Sequence, residues 1–214
     1  MGCFITFEGI EGCGKTTQIR LLEQYLADRG FKVLLTREPG GCPIADQVRA
    51  ILLDAANSAM TPSTELLLYA AARSQHVEEV IRPALADDHI VLCDRFTDAT
   101  VAYQGYGRGL DLGTIEDLNR LATSELKPHL TLLLDCPVEV GLKRALARIN
   151  NISTGAREER FELESARFHQ KVRDGYLKLA GEEKERFLII DGSNNVQDTQ
   201  VAVTTAVLGR LNGN

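Results

Sequence analysis

Residues 9–16 read GIEGCGKT, with a second threonine, Thr17, directly after, and this stretch decides the fold. It fits the pattern G-x-x-x-x-G-K-[ST], and its context gives the match its weight. The apolar run FITF at 4–7 leads in, and an amphipathic segment leads out. Gly9, Gly12 and Gly14 carry no Cβ, so successive backbone N–H groups can turn inward. The run Gly9, Ile10, Glu11, Gly12, Cys13, Gly14, Lys15, Thr16, Thr17 can therefore wrap the phosphates of a nucleotide. The helix that follows adds the positive end of its dipole. Lys15 would reach the outer phosphates, and the Thr16 hydroxyl would ligate Mg²⁺. Ile19, Leu22 and Leu26 share one face of that helix, and Gly30 is placed to cap its end.

Outward from this unit, near-continuous apolar runs recur at 33–35, 90–93, 130–134 and 187–190, as expected of strands buried on both faces. Helical patterns lie between them: a long one at 62–81 with Pro83 just beyond its end, then 115–121, 138–149, about 158–179 and 196–211. Strands alternating with helices imply right-handed crossovers and a parallel sheet. The expected fold is α/β, a P-loop NTPase three-layer arrangement with a five-stranded parallel sheet flanked by helices. No repeat or linker interrupts the chain, so residues 1–214 read as a single P-loop domain. The polar, turn-rich stretch NNISTG at 150–155 reads as part of a short lid, about 149–162, rather than as a boundary.

Composition narrows the function. The 214 residues are 44% hydrophobic, enough for one well-buried domain and short for two. A net charge of −6 argues against broad binding to nucleic acid or to an acidic membrane surface. No apolar run approaches the roughly 18 residues that span a bilayer. The opening run reads as a core strand rather than a leader. Five scattered cysteines without paired zinc spacing read as small, reduced, mostly buried thiols, which suits the cytoplasm. Cys13 reads as a small residue that fits its turn. His76, His89, His129 and His169 show no triad or metal spacing and read as ordinary polar residues.

Three further motifs fall where strand ends should meet a ligand, because open α/β sheets bind beyond the carboxyl ends of their strands. TREPGG at 36–41 follows the second strand and DRF at 94–96 the third, while YAAARSQH at 69–76 lies on the long helix. A surface turn, a strand-end ion pair and a core tyrosine would explain them singly. Their joint occurrence around one phosphate cradle points instead to a second anion facing the first.

The set FEGIEGCGKTT, TREPGG, LLLYAAARSQHV, DRFTDATVAYQG and ERFELE, in this order and from Phe7 to about Tyr176, resembles bacterial thymidylate kinases. The resemblance implies transfer of the γ-phosphate of ATP to dTMP with Mg²⁺, in a chain that commonly forms homodimers. It implies that Arg95 pairs with the acceptor phosphate with help from Arg37, since guanidinium forks match phosphate oxygens. Asp94 would steady Mg²⁺ or its water shell, and Glu11 would lie near the acceptor sugar and the metal. Tyr69 would stack on the thymine ring and Arg73, one turn on, would bond the base edge. Thr100 would meet that edge, Tyr103 would crowd the sugar 2′ position, and Gln104 would lie close by. Glu38 and Pro39 would join the acceptor site through a cis peptide bond. In the lid, Arg160 and Glu162 match best and Arg157 next, with Arg148 flanking. The P-loop interior has no arginine, so the resemblance is to the subgroup whose lid supplies the catalytic cation. Two alternatives stay open: a kinase for another nucleoside monophosphate or a deoxynucleoside, and a P-loop switch that binds nucleotide and transfers nothing.

Overall fold

The computed structural model describes residues 2–150, 160–161 and 164–212. Five strands form one sheet: β1 (Cys3–Glu8), β2 (Val33–Arg37), β3 (Ile90–Asp94), β4 (Leu130–Asp135) and β5 (Phe187–Asp191), in the order β2-β3-β1-β4-β5. Every pairing is parallel, with Ile5 opposite Leu92 on one side of β1 and Leu130 on the other. The chain steps from β1 outward to β2, back to β3, and then across β1 to β4. That reversal opens a crevice at the carboxyl ends of β1 and β3.

Alternation along β1 divides the core. Ile5 and Phe7 join Ile19, Leu22 and Leu26 of α1 (Lys15–Ala27) in the larger cluster, all essentially inaccessible to solvent. Phe4 joins the smaller cluster, where its ring meets the Phe96 ring edge-on at 4.9 Å. Burying each such side chain contributes roughly 1.5–3 kcal/mol. Not every strand is buried on both faces. The order places β2 and β5 at the edges, and Leu188 and Ile189 of β5 are 42% and 51% exposed.

The helices also correct the sequence reading. The pattern at 62–81 is α3 (Pro62–His76), a π-helical turn (Val77–Ile81) and α4 (Arg82–Ala86) in continuous succession. Pro83 therefore lies inside the run, two residues after the π-helical turn, rather than beyond its end. α1 runs to Ala27, and Gly30, at φ 81°, closes its end as expected: the Phe31 N–H donates to the Leu26 carbonyl at 3.2 Å and the Gly30 N–H to the Ala27 carbonyl at 2.9 Å. The helix expected from about 158 begins at Ala166 as α8 (Ala166–Glu182), because the Ser165 side chain accepts from the Phe168 N–H at 3.2 Å and caps it there. α2 (Pro43–Leu53) and α5 (Thr97–Thr100), which runs into a π-helical segment (Val101–Gly107), had not been read from the pattern. α6 (Leu112–Thr123), α7 (Val138–Asn150) and α9 (Val196–Asn212) match their expected stretches. Among the described residues no helix is long and apolar enough to cross a membrane, and all five cysteines are free and buried.

Candidate active site

The glycine-rich loop leaves β1 with Gly9, Gly12 and Gly14 at φ 133°, 69° and 101°, a region that side chains with a Cβ rarely adopt. Space is short as well: a Cβ on Gly12 would lie 2.0 Å from the Gly141 carbonyl oxygen of α7. Gly14 holds the N-cap position of α1 with no capping side chain, and no acidic residue sits in the first turn. The first N–H groups of α1 are thus left for an anion. Lys15 Nζ bends back over the loop and donates to the Gly9 and Ile10 carbonyls, both at 2.9 Å. Thr16 Oγ1 donates to Asp94 Oδ2 at 3.2 Å, which joins the ends of β1 and β3. One hydroxyl and one carboxylate are hard oxygen donors suited to Mg²⁺ that arrives with phosphates and keeps its waters. Among the described residues no cluster of three or more His, Cys, Asp or Glu forms an all-protein cage.

A cleft of about 850 Å³ opens beside this loop. Glu11 to Thr17 line it along the loop side, with Asp94 and Arg95 from the end of β3. Arg37, Glu38 and Pro39 line it from the end of β2, Tyr69 and Arg73 from α3, and Thr100, Tyr103 and Gln104 from the segment after β3. Gly9 and Ile10 lie behind that lining. The Glu38–Pro39 peptide is cis. Arg37 is half-exposed at the mouth, 3.2 Å from Asp46.

Arg95 and Glu11 form the centre of one buried network. Arg95 Nη1 donates to the Gly9 carbonyl at 3.1 Å and to Tyr176 Oη at 3.2 Å. Its Nη2 donates to Glu11 Oε1 and Tyr103 Oη, both at 3.0 Å. Tyr103 donates its own hydroxyl to Glu11 Oε1 at 2.6 Å. Burial opposes ionisation of Glu11, but Arg95 foremost, with His169 and Lys15, holds its carboxyl well below the usual range. His169 Nδ1 is 3.1 Å from the other Glu11 oxygen, although the two are not aligned as a hydrogen bond. Burial, foremost, and the nearby Glu11 keep the Tyr103 phenol protonated, so it remains a donor. Glu8, beneath, accepts from the Tyr176 hydroxyl and the Phe96 N–H, both at 2.7 Å. Burial, then the neighbouring Asp98 carboxylate, pushes its pKa up to about 8. Arg95 itself sits at φ 73°, a strained backbone state for a non-glycine residue at the turn that aims it into the cleft.

Arg73 organises the other end. Its side chain is 1% exposed and pairs with Glu38 at 2.7 Å. It also donates to Asn119 Oδ1 at 2.6 Å, Thr100 Oγ1 at 2.9 Å and the Phe96 carbonyl at 3.0 Å. A guanidinium has five N–H donors, so one on Nη1 is left over. His76 braces Glu38 from behind, with Nδ1 3.1 Å from Glu38 Oε1 and Nε2 2.7 Å from Thr36 Oγ1. The contact requires Gly41, where a Cβ would lie 2.5 Å from the imidazole.

Not every expected residue joins the cleft. Arg160 pairs with Glu65 at 2.5 Å and donates to the Leu52 carbonyl, and it does not line the cavity. Arg157, Glu162 and the Arg148 side chain lie outside the described residues. The histidines at 76 and 169, read as ordinary polar residues, are fully buried against Glu38 and Glu11. Asn119, Glu65, Tyr176 and Phe161 also surround the site without having been singled out. The spacing of Glu65, Tyr69 and Arg73 at i, i+4 and i+8 was the one available signal, since it puts all three on one face of α3.

Residues 7–203 match the family model described as thymidylate kinase. The chain belongs to the thymidylate kinase family. It is 85% identical over 214 residues, the whole of both chains, to a thymidylate kinase of Geotalea daltonii. It is 64% identical over 211 residues, 99% of each chain, to that of Geobacter sulfurreducens. Its structure is similar to the crystal structure of thymidylate kinase from Ehrlichia chaffeensis, with a TM-score of 0.76 and 33% identity, covering 96% of this chain and 98% of the other. The thymidylate kinase family accounts for the P-loop, the five-stranded parallel sheet and the motifs around the cleft.

Proposed function

We propose that this chain transfers the γ-phosphate of ATP to dTMP, giving dTDP and ADP. The observation that carries the reading is one cleft lined by two sets of cationic groups: Lys15 and the open amides of the loop, and Arg95 and Arg37 at the ends of β3 and β2. The first set suits the phosphates of ATP and the second the monophosphate of the acceptor. Tyr69 then offers a ring to the acceptor base, and Arg73 and Thr100 offer polar groups to its edge. Tyr103, clamped between Glu11 and Arg95, would crowd the sugar 2′ position.

The acceptor phosphate is a nucleophile at neutral pH, so this chemistry needs no general base and no covalent enzyme intermediate. The protein holds two anions in line and offsets their repulsion through Lys15, Arg95 and Arg37. Thr16 and Asp94 would hold Mg²⁺, which when bound supplies charge neutralisation across the phosphates. We assign the lid cation to Arg157, because Arg160 is held by Glu65 and the Leu52 carbonyl. Glu162 is assigned to the acceptor site by resemblance. We treat residues 1–214 as one domain with a lid at about 149–162. Exposed Leu67 on α3 and Leu121 on α6, 57% and 75% accessible, support a homodimer through these adjoining helices. Free thiols support a cytoplasmic setting.

A panel of nucleoside monophosphates, assayed for ADP release, tests the reading. Thymidylate should give the highest kcat/KM. Faster turnover of uridylate, cytidylate or adenylate would replace the substrate, and nucleotide binding without any acceptor-stimulated ADP release would favour the switch.

A further inference from the structure

Behind the acceptor side of the cleft, one carboxylate carries more partners than any helix-surface glutamate needs. Glu65 is 1% exposed. It accepts from Gln104 Nε2 at 2.7 Å and pairs with Arg108 at 3.2 Å and Arg160 at 2.5 Å. Arg108 also holds Glu164 at 2.5 Å, so residues on either side of Phe161 are tied to the same cluster. Arg160 is further fastened to the Leu52 carbonyl at the end of α2. A buried charge cluster of this kind fixes geometry, because each group would be costly to leave unpaired.

Phe161 is what the cluster positions. The guanidinium carbons of Arg160 and Arg108 lie 4.6 and 5.6 Å from its ring centroid. The ring is 5% exposed and lines the cleft. It meets Tyr103 edge-on at 5.4 Å, and it tilts 55° from Tyr69 at 6.5 Å. Glu65 stands one turn before Tyr69 on the same face of α3, so a single helix sets both the Tyr69 ring and the anchor of Phe161.

We propose that Phe161 is a specificity-determining wall of the acceptor-nucleotide pocket, and that Glu65 is the positioning residue that holds it through Arg160 and Arg108. The proposal rests on the acceptor being a thymidylate-like nucleotide. An apolar ring there contacts the base and sugar and contributes to acceptor affinity, while the ATP side is untouched.

The test compares Phe161→Ala, Phe161→Leu, Glu65→Gln and Glu65→Gln/Phe161→Ala with the parent enzyme, each verified as folded by circular dichroism at the assay temperature. KM for dTMP and KM for ATP are measured separately. Phe161→Ala should raise KM for dTMP on the order of tenfold, as expected for losing an aromatic contact to a ligand, with KM for ATP within about twofold. Phe161→Leu should fall between, and it carries the comparison if the alanine variant does not fold. Glu65→Gln should reproduce the dTMP effect, and the double variant should be no worse than Phe161→Ala alone. An unchanged KM for dTMP in folded Phe161 variants, or equal rises in both KM values, overturns the wall. Multiplicative effects in the double variant overturn the role of Glu65. If the parent enzyme does not phosphorylate dTMP, the functional reading fails instead, and the parent control separates that outcome from failure of this proposal.

Discussion

Arg73→Met should destabilise the protein far more than a base-reading residue at a cleft edge would. The substitution keeps length and apolar bulk but removes one positive charge from a fully enclosed site. Glu38, 3% exposed, loses the partner at 2.7 Å and, among the described residues, keeps the side-chain partner His76 at 3.1 Å. Removing one member of a buried ion pair costs about 3–5 kcal/mol, because the survivor stays desolvated. Asn119, Thr100 and the Phe96 carbonyl also lose a donor, but these losses overlap with the first and are not summed. A loss of about 4 kcal/mol is a large share of the roughly 5–15 kcal/mol typical of a whole domain. For a chain of this length it lowers Tm by about 8–16 °C. Urea unfolding followed by circular dichroism measures the effect directly. Glu38→Gln in the Arg73→Met background should recover at least about 1 kcal/mol, although the same change in the parent chain destabilises. Saturating dTMP should protect the variant less than the parent, since ligand stabilisation scales with affinity. A loss under about 1 kcal/mol for Arg73→Met, or equal penalties for Glu38→Gln in both backgrounds, would refute the view that this pair is the keystone of the acceptor side.

Lys15→Met should abolish turnover on a steady-state ADP-release assay while leaving the circular dichroism spectrum intact; near-parental activity would remove Lys15 from the reaction. Tyr69→Ala should weaken dTMP binding more than ATP binding in calorimetric titrations, and equal effects would make Tyr69 a packing residue. Glu8 gives a pH signature whose sign is fixed. Its pKa is raised from 4.5 to about 8 in the fold, so the folded state holds a proton that the unfolded state has released across that window. Stability should therefore fall as pH rises from about 4.5 to 8, and Glu8→Gln should flatten that slope in urea melts at several pH values; an unchanged slope refutes the assignment.

What the sequence disclosed about this site followed the range of the interactions involved. The loop at 9–16 was legible because its chemistry is local: three positive-φ glycines, a lysine and a threonine lie within eight residues, between a strand and a helix. Arg37 and Arg95 were legible because strand ends of an α/β sheet converge on one crevice, and they do. The sheet's edges were not, because the apolar composition of Phe187–Asp191 is the same whether a strand is flanked on both sides or on one. Long-range partners were illegible for the same reason. His169 meets Glu11 from 158 positions away, and Asn119 meets Arg73 from 46, yet each sits in a helix where a polar residue ordinarily faces water. Glu65 is the sharpest instance. In sequence it is an acidic residue in the first turn of α3, which the helix dipole alone would explain. In the fold it is enclosed by two arginines and a glutamine that arrive from beyond position 100. That enclosure also takes in Arg160, whose motif position alone pointed to phosphate: its Nη1 is held by Glu65 and its Nε by the Leu52 carbonyl, partners 95 and 108 positions away in the sequence.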